Sequence, residues 1–341
     1  MFIKKNIHKV YFLFLVTHLL LWTLIPSITN VNLPLDTIEA LAWGSNLDWG
    51  FNKHPPFSAF AVEMVYRIFG NQDWAYYLLS QIFVISAFIV VFKLANEFFN
   101  DINFAFFSVI LLEGIFFFNY TSPEFNVNIS QLPFWALSIL FSWRCLKNDS
   151  VINYIFLGIS LGLGFLSKYI FLYLIIGIKL LFVFLLIKKK IKSYKFLIPG
   201  FVSLLIIFPH LIWLSENNYI TITYGLQRAG VEDSLLNHFY FPFTFILKQF
   251  GILLPFLIMV FFLVKKIRFK KFKFDEKMIF LFFTFVVPIL LIIFTSLIMG
   301  SKIRTMWMTP FYLFAGVTII YIFKNELEQK KIKQFYIIFI F

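Results

Sequence analysis

Cysteine is almost absent from this chain of 341 residues, which contains a single one, Cys145. One cysteine excludes an intramolecular disulfide and any metal site built from several thiolates. The sequence also lacks the glycine-rich motifs of nucleotide-binding folds, both the phosphate-binding loop and the dinucleotide fingerprint. It therefore gives no indication of a nucleotide-binding domain, and no constellation of metal ligands is apparent.

Charged residues are scarce as well, at 14% of the chain, whereas a soluble domain has about 25%. Hydrophobic residues make up 60%, and phenylalanine alone occurs 51 times. A soluble protein has no means of burying that much apolar surface, but a lipid bilayer can accommodate it. The composition predicts an all-α membrane protein that crosses the bilayer many times.

The apolar residues fall into ten stretches, which the sequence predicts to be membrane-spanning helices. Several are shorter than the usual span of about 20 residues, so we expect them to be tilted or partly buried within the protein. His18, in the first stretch, is interpreted as a packing residue. The predicted spans are 10–28, 73–95, 102–120, 131–145, 152–167, 169–187, 196–214, 241–264, 278–299 and 306–323.

The net charge of +13 does not indicate a nucleic-acid partner, because the basic residues form short blocks between the apolar stretches. The richest blocks lie at 188–195 and 265–277. Their asymmetry predicts a cytoplasmic N-terminus and places the loops 29–72, 121–130 and 215–240 on the other side of the membrane.

No stretch of the chain resembles a separate soluble domain, so residues 1–341 are expected to form one transmembrane domain. The apolar tail at 334–341 is too short to cross a bilayer. It suggests that the chain is cut short just where a further span begins.

The first loop, residues 29–72, carries a pattern that indicates two amphipathic helices. In the first helix, Asp36 and Glu39 share one face. The second begins at the Pro-Pro pair of residues 55–56, a favourable helix start. Both segments are too polar to span the bilayer and are expected to lie in the membrane interface. The apolar stripe of the second consists of Phe57, Phe60, Ala61, Met64 and Ile68.

Two interpretations of this loop stay open from the pattern alone. Its carboxylates, lysine and histidine are either solvated charges beside aromatic interface anchors, or a site where a carboxylate works opposite cations. The second arrangement suits a transfer reaction with an anionic leaving group, because cations stabilise the negative charge that develops on the departing group.

The stretch LPLDTIEALAWGSNLDWGFNKHPPFSAFAVE, at 33–63, resembles the first extracytoplasmic loop of bacterial glycosyltransferase family 39 proteins. These are GT-C fold enzymes related to protein O-mannosyltransferases and to the transferases that add aminoarabinose to lipid A. Further stretches agree with the family in order and spacing, the last of them more weakly. They are EFNVNISQLPFWAL at 124–137, GLGFLSKY at 162–169, PHLIWLSENNYIT at 209–221 and RTMWMTPFYL at 304–313.

The resemblance implies a GT-C fold in a bacterial inner membrane and a glycosyltransferase active on the extracytoplasmic face. The donor would be a polyprenyl-phosphate-linked sugar, transferred with inversion to a hydroxyl of a glycolipid, lipopolysaccharide or protein. This donor and the membrane lipids are the expected partners. No cofactor is expected to be required, although a divalent cation is compatible with the reaction. Relatives usually continue with further spans.

The resemblance also implies roles for five residues. Asp36 would be the general base that takes the proton of the acceptor hydroxyl. Glu39, the second acid of the motif, either orients the acceptor, binds a cation or is a solvated interface residue. Relatives place a basic residue before the Pro-Pro pair, so Lys53 and His54 are alternative ligands of the donor phosphate. Lys168 would be another, unless it is a lysine that snorkels to the interface.

Five more residues are candidates for substrate binding. Glu124 lies in the second motif, and Asn126 and Asn128 would hydrogen-bond sugar hydroxyls, although capping of the loop is the alternative for both. His210 lies near the end of a span, where it is either functional or satisfied by a backbone carbonyl. Arg228 is a weaker phosphate candidate.

A transporter or lipid flippase is the main alternative function, since many spans and polar intramembrane residues would suit it. Transporters commonly contain internal repeats with broken helices at matching positions, and the sequence shows no such symmetry. A non-catalytic assembly subunit and a catalytically dead family fragment are further alternatives. Asp36 would be dispensable in each of these cases, so it distinguishes them from an active transferase.

Overall fold

The structure is a computed structural model in which the chain is helical, as the composition predicts. Within the described residues, the one pairing of strand type is an isolated bridge between Val264 and Leu327. Parts of the predicted basic blocks at 188–195 and 265–277, and of the tail at 334–341, lie outside the described residues. The described residues are 2–189, 194–230, 234–264, 275–327, 331–332 and 334–335.

The helices are numbered in chain order and are mostly joined by short turns. The first eight are α1 (Phe2–Thr29), α2 (Leu35–Gly44), α3 (Phe57–Phe69), α4 (Asp73–Phe99), α5 (Ile102–Ile110), α6 (Val127–Ser130), α7 (Leu132–Asn148) and α8 (Val151–Ser167). The next seven are α9 (Leu172–Ile187), α10 (Ile198–Glu216), α11 (Ile220–Arg228), α12 (Asn237–Leu263), α13 (Glu276–Leu281), α14 (Val287–Met299) and α15 (Ala315–Phe323).

Six helical segments are long and apolar enough to cross a membrane. A seventh candidate is bent by 54° between Thr305–Tyr312 and Ala315–Glu326, and the apolar segments Ile102–Gly114 and Val151–Ser167 are shorter. The structure thus supports a multi-pass membrane protein, while the number of ten spans stays a prediction. The six segments are Ile7–Thr29, Asp73–Phe99, Tyr169–Ile187, Tyr194–Glu216, Asn237–Leu263 and Glu276–Met299.

Helix α8 packs closely against α10 because glycines line their contact. A Cβ atom added at Gly158 would lie 2.6 Å from the Cβ of Val202, and one added at Gly162 would lie 2.9 Å from the Cβ of Ile206. Small residues four positions apart are what allow membrane helices to approach each other so closely. This contact fixes the end of α8, and with it the residue that follows, Lys168.

The two helices predicted in the first loop are present as α2 and α3, while their location in the membrane interface stays a prediction. They pack through small residues, since a Cβ added at Gly44 of α2 would lie 2.8 Å from the backbone oxygen of Ala59 in α3. Part of the predicted apolar stripe of α3 points outward, with Met64 65% and Ile68 61% exposed. An exposed apolar stripe is what a helix in the membrane interface presents to lipid.

His18 does more than fill space in α1. Its Nδ1 lies 2.7 Å from Oε1 of Glu113, and Asn119 donates a hydrogen bond of 2.8 Å to the backbone oxygen of Glu113. Ionisable groups within membrane segments are usually paired in this way. The pair fastens α1 to the turn that leads from α5 to α6.

The loops that carry the predicted motifs meet at one end of the helical bundle, which we call the loop end. It contains residues 45–56, 119–128, 168, 217–230 and 300–309, together with α2 and α3. The opposite end, which we call the basic end, contains the ion pair of Arg144 with Glu97 and that of Lys195 with Asp149.

Candidate active site

Asp36 stands in the first turn of α2, and the 124–125 segment holds this turn in place. Pro34 precedes the helix and provides no side-chain cap. Instead, the backbone nitrogen of Asp36 donates to Oε1 of Glu124 at 3.3 Å, and the hydroxyl of Thr37 donates to the backbone oxygen of Phe125 at 3.1 Å. Free backbone N–H groups of a first turn need such acceptors. The Asp36 carboxylate itself accepts no hydrogen bond from the described residues.

The surroundings of Asp36 strengthen it as a base. Burial raises the pKa of its carboxyl, and the negative charge of Glu39 raises it further. Three cations, Lys168, Lys53 and Arg228, act in the opposite direction but do not cancel the effect. A carboxylate with a raised pKa accepts a proton more readily than an ordinary one.

Glu39 and Lys53 form an ion pair with each other at the loop end. Both side chains are about one-third exposed, and the Lys53 ammonium also lies 6.0 Å from the ring of Tyr224. The hydrogen bond to Glu39 raises the pKa of Lys53, so Lys53 is charged at neutral pH. Glu39 therefore contacts a lysine of the chain itself, and its role toward the acceptor stays a prediction.

His54 differs in charge from its neighbour Lys53. Burial lowers its pKa to about 3, with additional contributions from the nearby Lys168, Lys53 and Arg228. The imidazole is consequently neutral at neutral pH and lies 6.0 Å from the ring of Trp43 in an edge-on contact. Between Lys53 and His54, Lys53 carries the positive charge.

Lys168 lies between α8 and the turn that begins α9, and it is buried. Its Nζ donates a hydrogen bond of 2.6 Å to Oδ1 of Asn128 and lies 5.4 Å from the ring of Trp307. Burial lowers the pKa of this ammonium, Asp36 raises it, and Arg228 and Arg304 lower it further. A lysine buried in this way does not snorkel to the surface, and no carboxylate within the described ranges forms an ion pair with it.

The two asparagines of the second motif have different surroundings. Asn126 caps α6, since its Oδ1 accepts hydrogen bonds from the backbone nitrogens of Asn128 and Ile129 at 2.8 and 3.2 Å. This is the alternative that the sequence left open. Asn128 contacts Lys168 through Oδ1, while its Nδ2 has no partner in the part of the chain that the structure describes.

His210 is fully buried in α10, and both of its ring nitrogens are engaged. Nδ1 lies 2.6 Å from the backbone oxygen of Trp49, and Nε2 lies 2.7 Å from the hydroxyl of Tyr169. Trp213 lies directly against Gly50, where an added Cβ would be 2.3 Å from its ring. The backbone-carbonyl alternative for His210 is therefore the arrangement observed, and α10 holds the backbone just before Lys53.

Arg228 ends α11 and is exposed at the loop end. Its guanidinium lies 5.7 Å from the ring of Tyr224, the same ring that Lys53 approaches. Thr221, at the start of α11, donates a hydrogen bond of 2.6 Å to the backbone oxygen of Phe51. Helix α11 thus joins the first loop and brings Arg228 to the charged cluster.

A cleft of about 170 Å³ adjoins this cluster at Glu124 and Asn128. Asn126, Thr305 and Thr309 also contribute polar groups to its lining. Burial and the charge of Asp36 raise the pKa of Glu124. In the described parts of the chain, no group of three or more His, Cys, Asp or Glu side chains is arranged to hold a metal ion.

Sequence reasoning missed three residues that take part in this arrangement, Trp307, Tyr224 and Thr305. Trp307 and Thr305 belong to the stretch RTMWMTPFYL, whose resemblance to the family is weak. Tyr224 lies outside every matched motif. Thr305 and Trp307 lie at the start of a predicted span, and aromatic and hydroxyl side chains at such positions are common at any membrane interface, so they carried no specific signal. No sequence signal marks Tyr224.

Comparisons with known proteins agree with the geometry. A family model described as dolichyl-phosphate-mannose-protein mannosyltransferase matches residues 53–213. The lipid A galacturonosyltransferase RgtD of Rhizobium johnstonii is 25% identical over 226 residues, which cover 65% of this chain and 46% of that protein. The chain thus spans about half the length of this curated relative.

The fold matches that of ArnT from Cupriavidus metallidurans. The crystal structure with bound undecaprenyl phosphate has a TM-score of 0.71 at 16% identity, over 96% of this chain and 62% of ArnT. The apo structure has a TM-score of 0.67 at 15% identity, over 95% and 61% respectively. The chain is thus similar in sequence to these glycosyltransferases over about half to two-thirds of its length, and it has the GT-C fold of ArnT.

Proposed function

We propose that the chain is an inverting glycosyltransferase that moves a sugar from a polyprenyl-phosphate-linked donor to a hydroxyl acceptor. The observation that carries this proposal is the Asp36 carboxylate, which is held close to Lys168 and Lys53 without forming an ion pair with either. Support comes from ArnT, which binds undecaprenyl phosphate, and from RgtD, named as a transferase that acts on lipid A.

In the proposed reaction, Asp36 takes the proton from the acceptor hydroxyl as its oxygen attacks the anomeric carbon of the sugar. The bond between that carbon and the phosphate oxygen breaks, and the electron pair leaves with the polyprenyl phosphate. Attack from the face opposite to the leaving group inverts the anomeric centre. The proton ends on Asp36 and passes to solvent before the next turnover.

The leaving phosphate gains negative charge, and we assign its stabilisation to Lys168 and Lys53. Lys168 is buried without an anionic partner among the described residues. A bound phosphate would supply the negative charge that compensates for the loss of solvation. Lys53 is preferred to His54 because His54 is neutral. Glu39, through its ion pair, would hold Lys53 in place until the donor arrives.

The proposed reaction takes place on the extracytoplasmic face of a bacterial inner membrane, with the N-terminus in the cytoplasm. Basic residues at the end opposite to Asp36, including Arg144, Lys195 and Lys277, support this orientation. In a Cys145→Ser background, Ser45→Cys should react with an impermeant thiol reagent on intact cells, and Lys189→Cys should not. The reverse pattern would overturn the orientation.

We further propose that transfer needs no resident metal, since the chain offers its own cations for the leaving phosphate. Activity should survive dialysis against EDTA. A loss of activity that Mg²⁺ restores would instead show that a divalent cation takes part.

A test of the function itself requires the identity of neither the sugar nor the acceptor. Surface glycans and lipids of cells that express the chain, its Asp36→Asn variant or neither are compared by mass spectrometry. We expect one added sugar on a glycan or lipid in the first strain alone, together with release of polyprenyl phosphate. Identical spectra for the wild-type and Asp36→Asn strains at equal protein levels would contradict the proposal.

A further inference from the structure

The cleft beside Glu124 has the size and lining of a site for a single sugar ring. Its volume of about 170 Å³ gives room for several waters or for one six-membered ring. Asn126 and Asn128 contribute amide groups to the lining, and Thr305 and Thr309 contribute hydroxyls. Phe116, Phe117, Ile129 and Met306 add apolar surface. A lining of amides, hydroxyls and apolar groups suits a ligand that is polar at its edge and apolar on its face.

The cleft adjoins the two groups to which the proposed function assigns the chemistry. Asn128 lines it and accepts a hydrogen bond from Lys168 through Oδ1, which leaves Nδ2 as a donor. Glu124 lines it and accepts a hydrogen bond from the backbone nitrogen of Asp36. A ligand in the cleft therefore lies next to the side chains that contact Lys168 and Asp36.

The electrostatic character of the cleft is set by one group. Glu124 is the ionisable residue of the lining, and neutral donors hold its carboxylate: the backbone nitrogen of Asp36 at 3.3 Å and Nδ2 of Asn126 at 3.3 Å. No cation among the described residues forms an ion pair with it. The ammonium of Lys168 lies beyond Asn128 and is not part of the lining.

These observations, together with the proposed function on which this inference rests, indicate which class of donor sugar the chain selects. We infer that the cleft holds the sugar of the donor and that Glu124 selects a sugar without an acid group. A uronic acid would bring its carboxylate beside that of Glu124, in a partly buried site with no cation in the lining to compensate. A like charge placed against the wrong ligand is an effective means of discrimination. In this respect the chain would differ from a galacturonosyltransferase.

Two synthetic donors that differ at one carbon test the inference. Undecaprenyl phosphate galactose and undecaprenyl phosphate galacturonate differ in charge at C6, and their dissociation constants are measured for the full chain in nanodiscs. The wild-type protein should bind the galactose donor at least tenfold more tightly. Glu124→Gln removes the negative charge and should therefore remove most of that difference. The variant also alters the contact with Asp36, but this weakens both donors alike and cancels in the ratio of the two dissociation constants.

Two further variants separate the effect of the cleft from that of charges elsewhere at the loop end. Glu63→Gln removes a carboxylate at the loop end outside the cleft and should preserve the discrimination. Thr305→Phe places a ring in the cleft and should weaken both sugar donors while leaving binding of plain undecaprenyl phosphate unchanged. Thermal melting of each variant checks its folding.

The outcomes distinguish this inference from the proposed function. Equal binding of both donors by the wild-type protein, a preference for galacturonate, or a ratio unchanged by Glu124→Gln would overturn the selection by Glu124. Undiminished binding of both donors to Thr305→Phe would overturn the assignment of the cleft. If neither the donors nor undecaprenyl phosphate bound to the wild-type protein, the proposed function itself would fail.

Discussion

Charges at the two ends of the helical bundle are arranged in different ways. At the basic end, two cations are neutralised by carboxylates: Nε of Arg144 lies 3.2 and 3.3 Å from the two carboxylate oxygens of Glu97, and Lys195 lies 3.0 Å from Asp149. At the loop end, Lys53 pairs with Glu39 in the same way. Lys168 and Asp36, however, influence each other's pKa, yet within the described residues neither forms an ion pair.

The difference indicates what each set of charges is for. Paired charges satisfy one another, so a ligand must compete with the existing partner, as we propose for the phosphate at Lys53. A buried cation and a carboxylate that are held apart are costly in the free protein, and such perturbed groups concentrate at functional sites. The fold maintains this state through neutral contacts, since Asn128 holds Lys168 and Glu124 holds the backbone of Asp36.

The largest effect that this comparison predicts is at Asp36. Asp36→Asn keeps the size of the side chain and removes its basicity, so transfer should fall by at least about 10²–10⁴-fold, the usual contribution of a general base. Glu97→Gln, which removes a carboxylate at the basic end, is the matched control and should retain most activity. Sugar transfer by the purified variants measures both. Equal activity of Asp36→Asn and wild type would mean that the loop end is no more catalytic than the basic end.

A smaller loss is expected at Lys168. Lys168→Met removes the buried ammonium, and a hydrogen bond to a charged group is worth about 1.5–3 kcal/mol, so binding of undecaprenyl phosphate should weaken by about 10- to 100-fold. Lys195→Met removes a lysine at the basic end and should not change this binding. Titration calorimetry in nanodiscs measures the dissociation constants. Unchanged binding to Lys168→Met would leave the lysine a purely structural role.

The pKa shifts of Asp36 and Lys168 predict a narrow pH optimum for sugar transfer. Asp36 acts as a base only when deprotonated, and its raised pKa moves the acid limb of kcat/KM above that of an ordinary aspartate. Lys168 binds phosphate only when protonated, and its lowered pKa moves the alkaline limb below that of an exposed lysine. Lys168→Arg should shift the alkaline limb to higher pH, because a guanidinium stays protonated there. An alkaline limb that does not move in this variant would assign it to another group.

The sequence predicted the parts of this arrangement that local patterns encode. Both interfacial helices follow from the spacing of Asp36 and Glu39 and from the Pro-Pro pair before α3. The motifs also placed Lys53 and Lys168 at the same end of the protein. These inferences succeeded because helix periodicity and loop charge depend on residues that are close in the chain.

Local sequence patterns could not predict contacts between distant parts of the chain. His210 lies 161 residues from Trp49, whose backbone oxygen it contacts, and the cleft joins Glu124 to Thr305. Neither contact leaves a local signature, because each depends on how the helices pack. The bend of 54° after Tyr312 is another example, since hydropathy alone predicts one continuous span there.

A modest effect should separate Lys53 from His54. Lys53→Gln removes a charge that is about one-third exposed, so donor binding should weaken only several-fold, as expected for a partly solvated cation. His54→Gln removes a neutral ring and should have less effect still. Both are compared by the dissociation constant of undecaprenyl phosphate. A larger loss for His54→Gln would reverse the assignment and imply that the imidazole becomes charged when phosphate binds.

The smallest effect is expected at the basic end. Exchanging the partners of its best-defined ion pair, as in the double variant Glu97→Arg and Arg144→Glu, keeps one charge of each sign at the same place. Ion pairs near a protein surface contribute at most about 1 kcal/mol, so the melting temperature should change little and sugar transfer should be unaffected. The single variant Arg144→Glu, which leaves two carboxylates facing each other, should lower the melting temperature more than the exchange does. Loss of transfer in a well-folded exchange variant would show that the basic end takes part in function, and the distinction between paired structural charges and separated catalytic ones would no longer hold.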